Sequence, residues 1–281
     1  MKTVRTVADL RRELSGRSGQ VGLVPTMGSF HEGHLELIRR ARAENGVVVV
    51  SLFVNPAQFG PNEDLGSYPR DEERDARLAE TLGADILFAP PVEEVYPDGF
   101  STTVRVAGLT EVLDGDPGQR GAAHFDGVTT VVTKLFNMAQ PDVAYFGQKD
   151  AQQALVIRKL ARDLDMPVRI AVVPTVRDED GLALSSRNAY LTEEDRERAL
   201  GLSRALEAAN REVAAGRRDA RSVLDAASRE LDARGIRPEY LELRSADDLS
   251  PADRVNGRTL LAIAARVGRA RLIDNVILGD Q

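Results

Sequence analysis

The chain has no cysteine and no tryptophan, only three histidines in 281 residues, and an aromatic content of 5%. Without cysteine there is no disulfide, no thiolate nucleophile and no cysteine metal site. That usage suits a reducing compartment, so a cytoplasmic location is the expectation. Long apolar runs are also missing. Nothing approaches the ~18 residues of a membrane span, and the opening M-K-T-V-R-T-V-A-D-L-R-R-E-L lacks the apolar core of a secretion signal. Positive charge is in deficit, with 37 Lys+Arg against 44 Asp+Glu and a net charge of −7. This excludes a general binder of nucleic acid or anionic membranes. An anionic substrate must then be held by local positive groups.

What is present reads as an ordinary globular balance, 42% hydrophobic and 29% charged, long enough for one large domain or two smaller ones. Residues 10–14 suggest a short amphipathic helix. Residues 21–24 read as the end of a buried strand, and residues 35–43 carry Leu35, Ile38 and Ala41 at helical spacing before an Asn45-Gly46 stop. The run V-V-V-V-S-L-F-V at 47–54 has the β-branched continuity of a strand buried on both faces of a parallel sheet. Pro, Gly and Asn then predict a loop over residues 55–64. A helix near 71–82, strands at 86–89 and 104–106, an irregular glycine-rich stretch over 113–127 and a helix over 128–139 follow. A strand at 142–146, a turn at 147–150, a helix to about Leu164 with Gln153, Ile157, Leu160 and Leu164 along one side, and a strand at 169–176 complete the alternation. Beyond it, Thr192 with Asp195 resembles a helix cap for a helix toward Ala215, followed by a helix over 220–233 and strands at 239–244, 259–266 and 271–278. The expected fold class is α/β. A Rossmann-like doubly wound parallel sheet occupies residues 1–175, and a smaller α+β lid domain occupies 176–281. Loops after Val24, Val54, Phe146 and Val176 should converge at the carboxyl edge of the sheet, where such folds bind ligands.

The stretch V-P-T-M-G-S-F-H-E-G-H (24–34) is a strand-to-helix turn holding two of the three histidines. His31 and His34, three apart, face one way on the incoming first turn. Backbone N–H groups and the positive end of the helix dipole make that turn a seat for phosphate. Histidines at a helix start also serve as caps or surface residues. A zinc site is the weaker alternative, because His-x-x-His supplies only two ligands.

Three further patches stand in order: F-V-N-P-A-Q-F-G (53–60), F-G-Q-K-D-A-Q-Q (146–153) and D-G-L-A-L-S-S-R-N (180–188). With the histidine turn they closely resemble the pantothenate synthetase family, the pantoate–β-alanine ligases of the HxGH nucleotidylyltransferase superfamily. H-x-G-H alone indicates only the superfamily; four patches in order are far more specific. The resemblance implies that pantoate's carboxylate attacks the α-phosphorus of ATP, giving a pantoyl adenylate and pyrophosphate. The amine of β-alanine then takes the acyl group and releases AMP. It implies an ATP site formed by Met27, Gly28, Ser29, Phe30, His31, Glu32, Gly33 and His34, by Gly147, Gln148, Lys149 and Asp150, by the backbone of Val176, and by a mobile clasp of Leu184, Ser185, Ser186 and Arg187. His34, His31 and Lys149 would be the catalytic charge stabilisers, with His34 the better general acid. Gln58 and Gln153 would hold pantoate, and β-alanine would enter beside Gln58. Mg²⁺ is implied with ATP, with its protein ligands unknown and Asp75 a weak candidate. Small-molecule substrates and a homodimer are the implied partners, with no nucleic acid and no membrane.

Some residues carry weight of their own. The chain has four lysines, Lys2, Lys134, Lys149 and Lys159. One retained in a glycine turn among so many arginines points to a need for a compact ammonium. Relative to the family, L-D-G-D-P-G-Q-R-G-A-A-H-F, ending at His124-Phe125, has added residues, with Asp114 and Arg120 matching a family acid and arginine. Two rival readings are a nucleotidylyltransferase that stops at the adenylate and a non-catalytic nucleotide sensor. The first leaves Gln58 and Gln153 without a purpose, and the second leaves His34, Lys149 and Ser186 without one.

Overall fold

The structure is a computed structural model that describes residues 1–60 and 64–279. The loop expected over 55–64 is therefore covered in part; Pro61, Asn62 and Glu63 lie outside the described residues. The elements run β1 (Lys2–Val4), α1 (Val7–Ser15), β2 (Val21–Thr26), α2 (Glu32–Glu44), β3 (Val47–Leu52), α3 (Glu72–Thr81), β4 (Ile86–Phe88), α4 (Val92–Val95), α5 (Ala122–Ala139), β5 (Val143–Gly147), α6 (Ala151–Asp163), β6 (Arg169–Val173), α7 (Glu193–Ala214), α8 (Ala220–Asp232), β7 (Pro238–Ser245), β8 (Thr259–Val267) and β9 (Ala270–Leu278). No helix among the described residues is long and apolar enough to cross a membrane.

The chain folds as two compact units. The first comprises Met1–Gln148 and Gln152–Pro174, the second Lys149–Ala151 and Thr175–Gln281. In the first, six parallel strands run in the order β1-β4-β3-β2-β5-β6. The central strands are apolar on both faces because helices cover both sides; Val47, Val48, Val49 and Val50 of β3 are each 2% exposed or less. The chain leaves β2 toward β3 and β4, then returns to β2's other side as β5. The switch point thus falls at β2, and the loops after β2, β3 and β5 leave adjacent carboxyl ends.

The fold class agrees with the sequence reading, and several local expectations are corrected. β1 is absent from that reading because three residues at a sheet edge carry no periodicity. Residues 104–106 form no strand; Val104 bonds instead to threonine side chains of α5. α5 begins at Ala122, not Val128, directly after Gly121 at φ +79°. Its start is hard to read because His124, Phe125, Asp126 and Gly127 are all buried, so no polar face marks a helical period. α6 stops at Asp163 and leaves Leu164 52% exposed, outside the stripe expected for it. β6 ends at Val173, three residues early.

In the second unit, α7 starts at a Thr192 cap whose side chain accepts the Asp195 N–H, as its sequence suggests. α7 and α8 cover one face of the antiparallel sheet β7-β8-β9. Leu202, Leu206, Val223, Leu231, Leu261 and Ile263 fill the space between them.

Candidate active site

The histidine turn is held from below by a buried carboxylate. Gly28 at φ +87° and Ser29 at φ +54° bend the backbone sharply. A side chain at Gly28 would stand 2.7 Å from Leu52 and 3.0 Å from Asp75, so glycine is required there. Asp75, on α3 and fully buried, accepts the Ser29 N–H at 2.7 Å and the Phe30 N–H at 2.8 Å. Burial raises its carboxyl above the usual range, and these two bonds pull against that shift.

His31 is the N-cap of α2. Its Nδ1 accepts the Gly33 N–H at 3.2 Å, while His34 Nδ1 accepts the His31 N–H at 3.4 Å. The two form a reciprocal capping box with ring centroids 4.1 Å apart. An Nδ1 that accepts holds no proton, so each neutral ring carries its N–H on Nε2. This adjusts the sequence picture. The amides of Ser29, Phe30, His31 and Gly33 are already engaged. The backbone of the turn is therefore largely partnered by its own side chains rather than bare. The pair caps the helix, and capping fixes the tautomer.

Gln58 ends a 3-10 turn, Pro56–Gln58, after β3 and is 9% exposed. Its Nε2 donates to Met27 Sδ at 3.1 Å, and Asn55 Nδ2 donates to its Oε1 at 3.1 Å. Asn55 also donates to the Gly127 carbonyl at 3.1 Å and accepts from Tyr96 Oη at 2.8 Å. Burial pushes the Tyr96 phenol up to about 12, so it remains a donor at neutral pH. His124 Nδ1 lies 2.7 Å from the Gln58 carbonyl, and Arg120 Nη1 lies 3.1 Å from His124 Nε2. A guanidinium only donates, so Nε2 accepts and Nδ1–H donates to Gln58. Asn55, Tyr96, His124 and Gly127 went unassigned in the sequence reading. The rarity of histidine that singled out His31 and His34 was a usable signal for His124 as well.

The Gln152-Gln153 pair splits in purpose. Gln152 is buried and ties down the preceding loop, donating to Leu109 and Val112 carbonyls and accepting the Asp114 N–H. Gln153 is part-exposed on α6, and its amide has no hydrogen-bond partner among the described residues. Gly147 closes β5, and Gln148 opens the turn that follows.

The remaining candidates belong to the second unit. Lys149 Nζ lies 3.9 Å from Asp150, and the Lys149 carbonyl accepts from Asn275 Nδ2 of β9 at 2.8 Å. Lys149 lines a small cleft with Ala183, Ser185 and Asp274, so Lys149 and Ser185 are brought together. Leu184 N–H donates to the Val176 carbonyl at 3.0 Å. Arg177 pairs with buried Asp274 at 2.6 and 2.9 Å and anchors the hairpin that leads into residues 184–187. Ser185 caps the turn Ser186–Tyr190, accepting from Arg187 N–H at 3.3 Å. Among the described residues no group of three or more His, Asp or Glu side chains could hold a metal ion. Asp75, the weak metal candidate, turns its carboxylate oxygens to the loop amides.

A sequence profile of the family described as Pantoate-beta-alanine ligase matches residues 1–277. The chain belongs to the pantoate–β-alanine ligase family. It is 54% identical over 284 residues to a pantothenate synthetase of Moorella thermoacetica, covering 99% of each chain. It is 52% identical over 286 residues to one of Pelotomaculum thermopropionicum, covering 100% of each. Among solved structures, pantothenate synthetase from Thermus thermophilus superposes with a TM-score of 0.93 at 50% identity, covering 98% of this chain and 99% of that one. A pantoate-beta-alanine ligase from Francisella tularensis, complexed with beta-gamma ATP and beta-alanine, gives a TM-score of 0.79 at 33% identity, covering 99% and 97%. Family membership thus extends over both units, well past the four patches that first suggested it.

Proposed function

We propose that this chain condenses (R)-pantoate with β-alanine to pantothenate at the expense of ATP, through a pantoyl adenylate. The observation that carries the reading is the imidazole pair at the start of α2, with the ring protons on Nε2, beside the loops that end β3 and β5. Pantoate's carboxylate oxygen attacks the α-phosphorus, the bond to the bridging oxygen breaks, and pyrophosphate leaves with the electron pair. The amine of β-alanine then attacks the acyl carbon, the acyl–phosphate C–O bond breaks, the amine loses its proton and AMP leaves. The substrate supplies the nucleophile, so the protein's task is positioning and charge stabilisation.

In this assignment His31 and His34 donate Nε2–H to phosphate oxygens, with His34 the principal stabiliser. Met27 to Phe30, Glu32 and Gly33 shape the turn beneath the nucleotide. Gly147, Gln148 and Asp150 bind the nucleoside side, and Val176 meets the adenine through its N–H. Lys149 with Leu184, Ser185, Ser186 and Arg187 holds phosphate. Gln58 and Gln153 grip pantoate, with β-alanine entering beside Gln58. Mg²⁺ enters as part of the Mg·ATP substrate, where it neutralises phosphate charge. The working form is a homodimer in the cytoplasm.

The test is an AMP-release assay with each substrate omitted in turn. Pyrophosphate release should require ATP and pantoate, and AMP release should also require β-alanine. Pyrophosphate release without pantoate, or AMP release without β-alanine, overturns the reading.

A further inference from the structure

Strand β9 carries two consecutive polar residues, Asp274 and Asn275, that are 3% and 5% exposed. Buried polar groups are costly unless they are bonded, and these two are bonded to different segments. Asp274 accepts from both terminal nitrogens of Arg177, at 2.6 and 2.9 Å. Asn275 Nδ2 donates to the Lys149 carbonyl at 2.8 Å. Successive side chains of a strand point to opposite faces. Asp274 stands across from Ile263, on the face packed by α7 and α8, and Asn275 across from Ala262 on the other face. One dipeptide therefore grips two segments that are distant in sequence.

Resting on the reading that Lys149 and residues 184–187 hold phosphate, we propose that Asp274 and Asn275 are positioning residues for adenylate formation. They space Lys149 against the 184–187 clasp so that both reach one triphosphate. Lys149, Ser185 and Asp274 line the same cleft. The clasp is stitched to the segment that Arg177 opens. Leu184 N–H donates to the Val176 carbonyl and Asn188 Nδ2 to the Ala183 carbonyl, each at 3.0 Å, and Arg177 bridges Ala183 antiparallel. A shift of Arg177 thus carries residues 184–187 with it. On the other side, β9 stays in register with β8 from Ala270 to Leu278 without a break. The two anchor points are therefore fixed one Cα step apart, ~3.8 Å. The hairpin's other charged tether runs from Arg196 to Asp178 and Asp180, all part-exposed, where water and salt weaken it. The Asp274 carboxylate is buried, so its pair with Arg177 is the tether with geometric authority.

The two chemical steps separate positioning from mere support. Adenylate formation needs the triphosphate held from both sides, whereas aminolysis of pantoyl adenylate has no triphosphate to hold. Asn275→Ala leaves the Lys149 carbonyl without its donor, and Asp274→Asn removes the charge that holds Arg177. Each should slow single-turnover pyrophosphate release from ATP and pantoate by about 10–100-fold, the scale of a small misplacement. AMP release from supplied pantoyl adenylate and β-alanine should run at the parental rate, which also shows that the variant is folded. If Asp274→Asn does not fold, Arg177→Lys keeps the charge without the planar fork and should show the same selective loss. The double variant Lys149→Ala, Asn275→Ala should be no slower than Lys149→Ala alone, because Asn275 acts through Lys149. Equal slowing of both steps overturns the proposal, as do multiplied losses in the double variant. Parental pyrophosphate release in Asn275→Ala and Asp274→Asn overturns it too and leaves the ligase reading standing. Parental release in Lys149→Ala instead overturns the assignment of phosphate to Lys149, and the proposal with it.

Discussion

Nδ1–H of His124 donates to the carbonyl oxygen of Gln58 across 2.7 Å. The bond ties α5 to the turn that carries the proposed pantoate grip, and Arg120 fixes the ring's tautomer from behind. In His124→Ala the Gln58 carbonyl loses its partner, at a cost of about 1–3 kcal/mol, and the turn is free to drift. Displacement of ~1 Å costs on the order of 10²-fold in a positioned reaction. The expected outcome is a KM for pantoate raised about 10- to 100-fold, with KM for ATP nearly unchanged. His124→Asn, which returns an N–H near the same place, should recover most of the loss. A lower melting temperature with unchanged pantoate kinetics would reduce His124 to a structural residue.

The same junction depends on a glycine. A methyl group at Gly127 would stand 2.2 Å from the Ala57 carbonyl and 2.7 Å from the Gln58 N–H nitrogen. Both neighbours are backbone, so neither can swing aside as a flexible side chain would. Gly127→Ala should destabilise the fold by about 1–3 kcal/mol, the usual scale of overpacking, and raise KM for pantoate in the same variant. Urea denaturation and pantoate-dependent kinetics measure the two effects. Wild-type stability in the Gly127→Ala variant would mean that α5 and the turn are not packed this closely.

Asp75 predicts a pH dependence with a definite sign. Burial raises its carboxyl above the ordinary value of 3.8, more than the Phe30 and Ser29 N–H groups lower it. With the folded-state pKa above the unfolded one, the group's stabilising contribution is complete below about 3.8 and is lost as pH rises through the raised value. Asp75→Asn removes the titration and adds a constant offset from the lost acceptor. The unfolding free energy of the wild type minus that of the Asn variant should therefore fall as pH rises above about 3.8. Urea melts over a pH series give that difference, and a rise with pH would show that the amides outweigh burial.

How much of this was legible beforehand differs by element. β3 announced itself because V-V-V-V-S-L is buried on both faces, and a parallel central strand has few other ways to read. The Thr192 cap was visible because its signature is local. α5 was half legible: a helix buried on most sides loses the polar stripe that marks its period, and Gly127 inside it looks like a breaker until Ala57 is placed against it. The site divides in the same way. His31 and His34 stood out as a rare residue type in a glycine turn. The supports around Gln58 did not, because Tyr96 reaches Asn55 across 41 positions and His124 reaches Gln58 across 66, separations that no local pattern encodes. Asp75, 46 positions from Ser29, reads from sequence as an acid in a charged helix and a weak metal candidate, with nothing to point to the loop amides it holds.

His34 has two separable tasks, and a pair of variants tells them apart. Its Nδ1 accepts the His31 N–H as part of the capping box, worth ~1 kcal/mol to the helix start. Its Nε2–H is the donor assigned to the transferring phosphate, and the loss of one such donor typically costs about 10²–10³ in turnover. His34→Ala should lose both, with a small drop in stability and kcat for adenylate formation down by about 10²–10³. His34→Gln places an acceptor at the same helix position, where glutamine completes a capping box. It should restore the stability but not kcat, because an amide committed to the cap does not set a donor where the imidazole Nε2 stood. Single-turnover pyrophosphate release with ATP and pantoate, read beside thermal melts, measures both quantities. Near-normal turnover in the Ala variant would remove His34 from the chemistry and leave it as a cap alone.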